Sequence, residues 1–145
     1  GWYAGGTNPS LTPAAVSTVD RIDFSNDSGT ASVRGLLSTG LTGFVATGNS
    51  NYGWLATGTS VIRIDFSNDS GTTSPRGPLS LARTGLSATG NSNYGWFGGG
   101  GSGTATNYTS VERITFSNDL ATASPRGGTL SIARKVLGAT SNTTR

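Results

Sequence analysis

Few residues of this chain could do chemistry. Histidine and cysteine are both absent, and the charged side chains are seven carboxylates and ten cations, of which Lys135 is the single lysine. This composition excludes disulfides, imidazole or thiolate metal sites, cysteine nucleophiles and every histidine-based triad. Any catalysis would have to come from carboxylates, arginines and hydroxyls, and we expect neither a metal site nor a cofactor.

Arginines are the most regular of the charged residues. Arg21, Arg63 and Arg113 occupy the same position in a repeated phrase and alternate with apolar Ile and Phe residues. A ring of guanidinium groups could bind carboxylates or phosphates through paired hydrogen bonds. Repeated packing explains the same pattern if each arginine bonds an aspartate, such as Asp23 or Asp65, or a neighbouring carbonyl. We favour packing and keep the three arginines as candidate binding residues.

Aromatic residues offer a second kind of binding surface. Trp2, Trp54 and Trp96 recur once per repeat and could stack on sugar rings, although large aromatics at repeated positions more often fill a core. Tyr108 and the neighbouring Asn107 lie instead in a segment that differs between repeats. We therefore keep Tyr108 and Asn107 as candidate binding residues and assign the tryptophans to the core.

The carboxylates do not form an obvious catalytic pair. Glu112 is the only glutamate, and its repeat position holds Asp20 and Ile62 elsewhere. Sugar hydrolysis usually needs two positioned carboxylic residues. Because almost every acid belongs to a repeat whereas an active site is usually unique, we predict no catalytic residue and a chain that is not an enzyme.

Three internal repeats organise the whole chain. They share the phrases Val-x-Arg-Ile-x-Phe-Ser-Asn-Asp, Ser-x-Arg-Gly and Ala-Thr-Gly-Asn-Ser-Asn-Tyr-Gly-Trp. The first phrase spans residues 19–27, 61–69 and 111–119, the second 32–35, 74–77 and 124–127, and the third 46–54 and 88–96. We read residues 1–145 as one unit, with repeats starting near residues 17, 59 and 109 and a strand-completing segment at 1–16.

Each repeat predicts short strands separated by turns. Apolar and polar residues alternate over residues 61–66, as in a strand with one buried face, and residues 67–71 form a turn rich in Asn, Asp and Gly. An edge strand should follow and end at Pro75, which cannot donate to a ladder. With further strands at residues 84–89 and 95–98, the chain is predicted to be all-β with four strands per repeat.

The repeat resembles the kelch repeat. The resemblance rests on the aromatic strand with a glycine pair at residues 96–99, a variable loop, the strand and polar turn at 110–119, and the following Ser-Pro-Arg-Gly. It implies a β-propeller of four-stranded blades, three per chain. The phrases also resemble repeats in virion structural proteins of marine bacteriophages, especially cyanophages. Residues 67–73 resemble the Asp-box turn of sialidase-type propellers, where that turn is structural.

The two ends of the sequence match each other. Residues 139–145 followed by residues 1–6 align without a gap on residues 88–100. Propellers usually have four to eight blades, so three should not close alone. We expect a head-to-tail homodimer with six blades, in which each N-terminal strand completes a blade begun by the partner. The alternative is a fragment of a longer propeller.

These expectations define a function. We expect a structural or adhesive module on a virion or an extracellular surface, such as a tail fibre, which binds a host-surface protein or a glycan (carbohydrate binding) through the variable loops at residues 7–17, 59–60 and 101–110. The alternative is a glycan-processing enzyme of the sialidase or galactose-oxidase kind. The net charge of +3 comes without basic clusters, and no stretch approaches about 20 apolar residues, so we expect no nucleic acid and no membrane insertion.

Overall fold

The fold consists of β-strands and turns. A computed structural model of the chain describes residues 1–26, 28–38, 40–103 and 106–142, and these residues contain eleven strands and one 3₁₀ turn. The strands are β1 (Trp2–Ala4), β2 (Thr18–Arg21), β3 (Ser32–Leu36), β4 (Val45–Gly48), β5 (Tyr52–Thr57), β6 (Ser60–Asp65), β7 (Ser74–Arg76), β8 (Thr84–Gly90), β9 (Tyr94–Gly101), β10 (Ser110–Thr115) and β11 (Ser124–Thr129), and the 3₁₀ turn is Phe116–Asn118.

The strands form three antiparallel sheets, one per repeat. Sheet 1 has the order β1-β2-β3, sheet 2 the order β4-β5-β6-β7 and sheet 3 the order β8-β9-β10-β11. The all-β prediction is confirmed, and sheets 2 and 3 have the four strands expected of a repeat. Sheet 1 has three, because its first strand is the counterpart of β5 and β9. Within the described residues, no helix is long and apolar enough to cross a membrane.

Strand β6 shows why these residues form sheets. Val61, Ile62 and Ile64 are buried, whereas Arg63 and Asp65 are only half-buried. The strand ends where the carboxylate of Asp65 accepts hydrogen bonds from the backbone amide and the hydroxyl of Ser67, at 2.9 and 2.6 Å. These local bonds compete with continuation of the ladder and start the turn.

The core lies between neighbouring sheets. One cluster joins sheets 2 and 3, and the other joins sheets 1 and 2. The first contains Trp54, Ala56, Val61, Leu79, Leu86, Phe97, Ile114, Phe116 and Ala123, and the second contains Val19, Leu37, Leu55, Ile62 and Ile64. Each sheet therefore depends on the next one for burial, as in repeat architectures generally.

One backbone hydrogen bond is repeated after each sheet. It joins a glycine amide near the end of the tryptophan strand of each sheet (β1, β5 or β9) to a carbonyl just before the next sheet, at 2.9 to 3.2 Å. All three glycines have positive φ. The pairs are Gly6–Leu41, Gly58–Arg83 and Gly100–Arg134. The third pair shows that residues after β11 follow the same path as the residues that lead into sheets 2 and 3.

The variable loops lie at one end of the sheets, because each connects the tryptophan strand to the next strand. The first loop closes on itself, with Thr7 bridged to Ala15 and the amide of Asn8 donating to the carbonyl of Ala14 at 2.8 Å. The loop after β9 is closed by a bridge between Gly101 and Asn107. Residues 104 and 105 of that loop lie outside the described ranges.

Candidate functional site

Three side chains of sheet 1 converge on one aspartate of sheet 2. Trp2 Nε1 and Arg21 Nη1 donate to Asp69 Oδ2 at 3.0 and 3.1 Å, and Arg34 Nε donates to Oδ1 at 3.0 Å. Only 6% of Asp69 is exposed. We call Trp2, Arg21 and Arg34 the Trp–Arg–Arg triad of sheet 1. Its charge-assisted bonds join two sheets through a carboxylate that is otherwise removed from water.

The same arrangement recurs between sheets 2 and 3. Trp54 Nε1 and Arg63 Nη1 donate to Asp119 Oδ2 at 2.9 and 3.0 Å. Arg76 Nε lies 3.3 Å from the same oxygen, but its direction does not suit a hydrogen bond, so this contact is an ion pair alone. Trp54, Arg63 and Arg76 form the triad of sheet 2.

The packing interpretation of Arg21 and Arg63 is thus supported, but the expected partners were wrong. Asp23 and Asp65 do not pair with these arginines, because each accepts hydrogen bonds from the serine two residues later in its own turn. The partners are instead the aspartates at the end of the repeated phrase in the following sheet. The first repeat has Asp27 at this position, outside the described residues.

Asp69 is held in its charged form. Burial raises the pKa of this carboxyl, but the hydrogen bonds from Trp2 and Arg34 and the charges of Arg34 and Arg21 outweigh burial, so the pKa lies below its ordinary value of 3.8. The pKa values of Asp23 and Asp65 are also lowered, mainly by the hydroxyls of Ser25 and Ser67. The folded state therefore binds fewer protons than the unfolded chain at acid pH.

We expect the protein to lose stability as the pH falls below about 4. The contribution of Asp69 is complete above the ordinary pKa of 3.8 and disappears as the pH falls through its lower folded pKa. Asp69→Asn should cost about 2 kcal/mol at pH 7, because it weakens charge-assisted hydrogen bonds, and should flatten the acid limb of the stability curve. Urea unfolding between pH 2.5 and 7 measures both effects; parallel curves for the two proteins would contradict this account.

Arg113 is the third candidate arginine and differs from the other two. Its guanidinium lies over the Tyr94 ring at 4.0 Å, as that of Arg63 lies over Tyr52 at 4.2 Å. Unlike Arg63, it forms no ion pair with a carboxylate of the described residues. With Trp96 and Arg126 it forms the triad of sheet 3. No aspartate of the described residues bonds to this triad.

A buried ion pair joins the approach to sheet 3 with strand β10. Arg83 Nη2 donates to Glu112 Oε1 at 2.5 Å and to Ser110 Oγ at 3.0 Å, while Nη1 donates to the carbonyls of Gly99 and Ser110. The side chains of Arg83 and Glu112 are 0% and 1% exposed. Glu112 also accepts a hydrogen bond from the Ser80 amide at 2.6 Å. Both carboxylate oxygens of Glu112 are thus bonded at this depth, which gives Glu112 a structural role.

Arg83 was not among the residues expected from the sequence, although the repeats carry a signal for it. The counterparts of Arg83 and Glu112 at the preceding junction are Leu41 and Ile62, which line one small cavity together. Both positions change from apolar to charged between the two junctions. Such a paired change is expected where two residues touch, so comparison of the repeats could have identified the pair.

Tyr108 and Asn107 occupy the loop end, as expected. The ring of Tyr108 is half-buried and lies 5.5 Å from the Arg83 guanidinium, and its amide donates to the Gly100 carbonyl at 2.8 Å. Asn107 is exposed beside Gly101. The guanidinium of the buried ion pair thus lies beside the tyrosine ring, while Asn107 is exposed and its side-chain oxygen lies beside Gly101.

An open cavity of about 580 Å³ lies between the first strands of sheets 2 and 3 and the C-terminal segment. Its walls are residues 46–50, 88–92 and 139–141, which contain Ala, Thr, Gly, Asn and Ser and no charged residue. Hydroxyl and amide groups could bind a neutral polar molecule here. In the part of the chain that the structure describes, no three Asp or Glu residues are grouped in a way that could hold a metal ion.

Comparison of the chain with protein-family models and with curated proteins finds no match.

Proposed function

We propose that this chain is a non-enzymatic structural or adhesive module that belongs on a virion or an extracellular surface and binds a protein or a glycan through its loop end. In this proposal the three sheets are kelch-like blades of a six-bladed propeller formed by two copies. The resemblance of the repeats to virion structural proteins favours the location.

The observation that carries the proposal is the use of the charged side chains between sheets. Arg21 and Arg63 bind Asp69 and Asp119, and Arg83 binds the only glutamate, Glu112. The carboxylates of Asp69, Asp119 and Glu112 are thus committed to packing, which favours a structural role over the alternative of a glycan-processing enzyme. Segments that vary between repeats remain at one end, and loops on a constant frame are where recognition usually resides.

The loop after β9 is the strongest candidate for the contact surface. It offers the exposed amide of Asn107 and the aromatic edge of Tyr108, which suit hydrogen bonding and stacking on a sugar or a peptide. Arg83 and Glu112 hold its base through the contacts of Arg83 with Gly99 and Ser110. A rigid base lowers the entropy lost on binding.

The test is a glycan array together with a pull-down against bacterial envelope, using the intact chain and a variant carrying Asn107→Ala and Tyr108→Ala. We expect a bound glycan or envelope protein whose signal falls at least about tenfold in the variant, which equals about 1.4 kcal/mol. Ser92→Ala, at the opposite end of sheet 3, is the matched control and should bind normally. Empty results in both assays would overturn the adhesive role.

A further inference from the structure

The triad of sheet 3 is an unfilled copy of a site that is filled twice elsewhere. Trp96, Arg113 and Arg126 occupy the repeat positions of the residues that bind Asp69 and Asp119. Within the described residues, Arg126 Nη2 donates to Ser124 Oγ at 2.9 Å and pairs with no carboxylate. Two cationic side chains and a half-buried tryptophan thus present a place for one more aspartate.

The exposed side of sheet 1 carries an unfilled counterpart. Phe66 stacks on Trp2 at 3.9 Å, and Phe116 stacks on Trp54 at 3.8 Å. Phe24, at the same repeat position in sheet 1, is 75% exposed. Phe24 in sheet 1 thus lacks a tryptophan to stack on, and Trp96 in sheet 3 lacks a stacked phenylalanine. The two surfaces are complementary.

A glycine at the open triad supports the same pairing. At Gly35 and Gly77 an added Cβ would collide with the carbonyl oxygens of Gly71 and Ala121 in the following sheet, so only glycine allows the sheets to approach. Gly127 is the third copy, and nothing lies within 4 Å of its added Cβ. Glycine at this open position is explained if another sheet approaches it in the same way.

Charge complementarity provides an independent argument. The junction of sheets 1 and 2 has Leu41 and Ile62 where the junction of sheets 2 and 3 has Arg83 and Glu112. The repeat position of Leu41 and Arg83 is occupied in the third copy by Arg134, which is exposed. The repeat position of Ile62 and Glu112 is occupied in sheet 1 by Asp20, which is half-buried on β2. Arg134 and Asp20 have opposite charges, as Arg83 and Glu112 do, so they are complementary at a third junction.

From these four observations we propose that sheet 3 binds sheet 1 of a second copy of this chain, head to tail. The partner's Phe24 stacks on Trp96, the sheet that carries Phe24 packs against Gly127, and Arg134 pairs with the partner's Asp20. The proposal rests on the propeller architecture of the proposed function but not on ligand binding.

Two copies are enough to close the ring. The interface is heterologous, since different surfaces of the two copies meet, and such contacts either close by rotation or continue as a filament. Two chains give six sheets and two equivalent new junctions, within the usual range of four to eight blades. The segment after β11 reaches the new junction, because the Arg134 carbonyl accepts from the Gly100 amide as the carbonyls of Leu41 and Arg83 accept from Gly6 and Gly58 just before sheets 2 and 3.

The first test is the mass of the intact chain in solution, by analytical ultracentrifugation from about 1 to 100 µM, a range that detects specific association. We expect twice the chain mass of 14.7 kDa. A monomer throughout this range would overturn the proposal and would favour the occupant being a further repeat of a longer protein. Three or more copies would overturn closure by two.

The second test is a charge exchange at the new junction. Asp20→Arg and Arg134→Asp should each weaken dimerisation about 100-fold, because each places like charges opposite one another, and the variant with both changes should return to within about tenfold of the original. Lys135→Asp is the matched control, since this neighbouring lysine donates to Gly103 within its own chain. Circular dichroism shows whether each variant is folded.

Each outcome decides between the proposals. Dimers that are insensitive to both single changes, or that the double change does not restore, would overturn this interface. A dimer with empty glycan and envelope assays would leave the interface intact and refute the adhesive function. A monomer whose glycan or envelope binding depends on Asn107 and Tyr108 would refute the interface and support the adhesive function.

Discussion

Glu112→Ile should lower the free energy of unfolding by about 3–5 kcal/mol, and adding Arg83→Leu should recover most of this loss. The single change leaves the Arg83 guanidinium buried, with 0% of its side chain exposed, and without its counter-charge. The double change installs the apolar pair that the chain itself uses at the preceding junction, Leu41 and Ile62. The recovery should fall about 1–2 kcal/mol short, because the Ser80 amide still lacks the acceptor Glu112 and the carbonyls of Gly99 and Ser110 lose the donor Arg83.

Urea unfolding monitored by tryptophan fluorescence measures all four members of this cycle. Arg83→Leu alone is the second single variant and should also be costly, since it leaves the Glu112 carboxyl without its partner. The expected signature is a strong positive coupling between the two sites. Losses that simply add would contradict the account of Arg83 and Glu112 as a structural pair.

Trp54→Ala should cost about 3–5 kcal/mol of folding stability, whereas Trp96→Ala should cost about 1–2 kcal/mol within a single chain. Trp54 is fully buried, stacks on Phe116 at 3.8 Å and donates to Asp119 at 2.9 Å. Trp96 has the same repeat position but is half-buried and makes an edge contact with Tyr94. The pair therefore compares one residue type in a filled and an unfilled copy of one site.

The comparison is best made in the Arg134→Asp background, so that dissociation does not contribute to unfolding. There, the two melting curves should separate clearly, with Trp54→Ala unfolding at a lower urea concentration. In the unmodified chain, Trp96→Ala should instead act mainly on the dimer mass. Equal losses in the two monomeric variants would mean that the triad of sheet 2 contributes no more than that of sheet 3.

Local patterns predicted the strands well. Alternation over residues 61–66 predicted β6, observed at Ser60–Asp65, and the proposed strand at residues 84–89 is β8, Thr84–Gly90. Pro75 was expected to end the edge strand but lies inside β7, Ser74–Arg76. The edge position was correct, and an edge strand tolerates a residue without an amide donor because one of its sides needs no ladder.

The partners of the repeated arginines could not be predicted from local sequence. Asp23 is two residues from Arg21, whereas the true partner, Asp69, is 48 residues away in the next sheet. The Asp-box phrase indicated a structural turn around Asp69 but did not reveal that its carboxylate faces the preceding sheet. Only the relative placement of two sheets brings these groups together, and no periodicity within one strand encodes it.

The repeated bond from glycine amide to entry carbonyl, at Gly6, Gly58 and Gly100, uses backbone atoms alone. It holds every sheet in the same register whatever side chains meet beside it, so those side chains were free to diverge. A sheet in the wrong place would set Arg83 against Ile62 and bury an unpaired charge. The side-chain pairs at the junctions thus favour the correct neighbouring sheet over a wrong one, while the backbone bond gives every junction the same spacing.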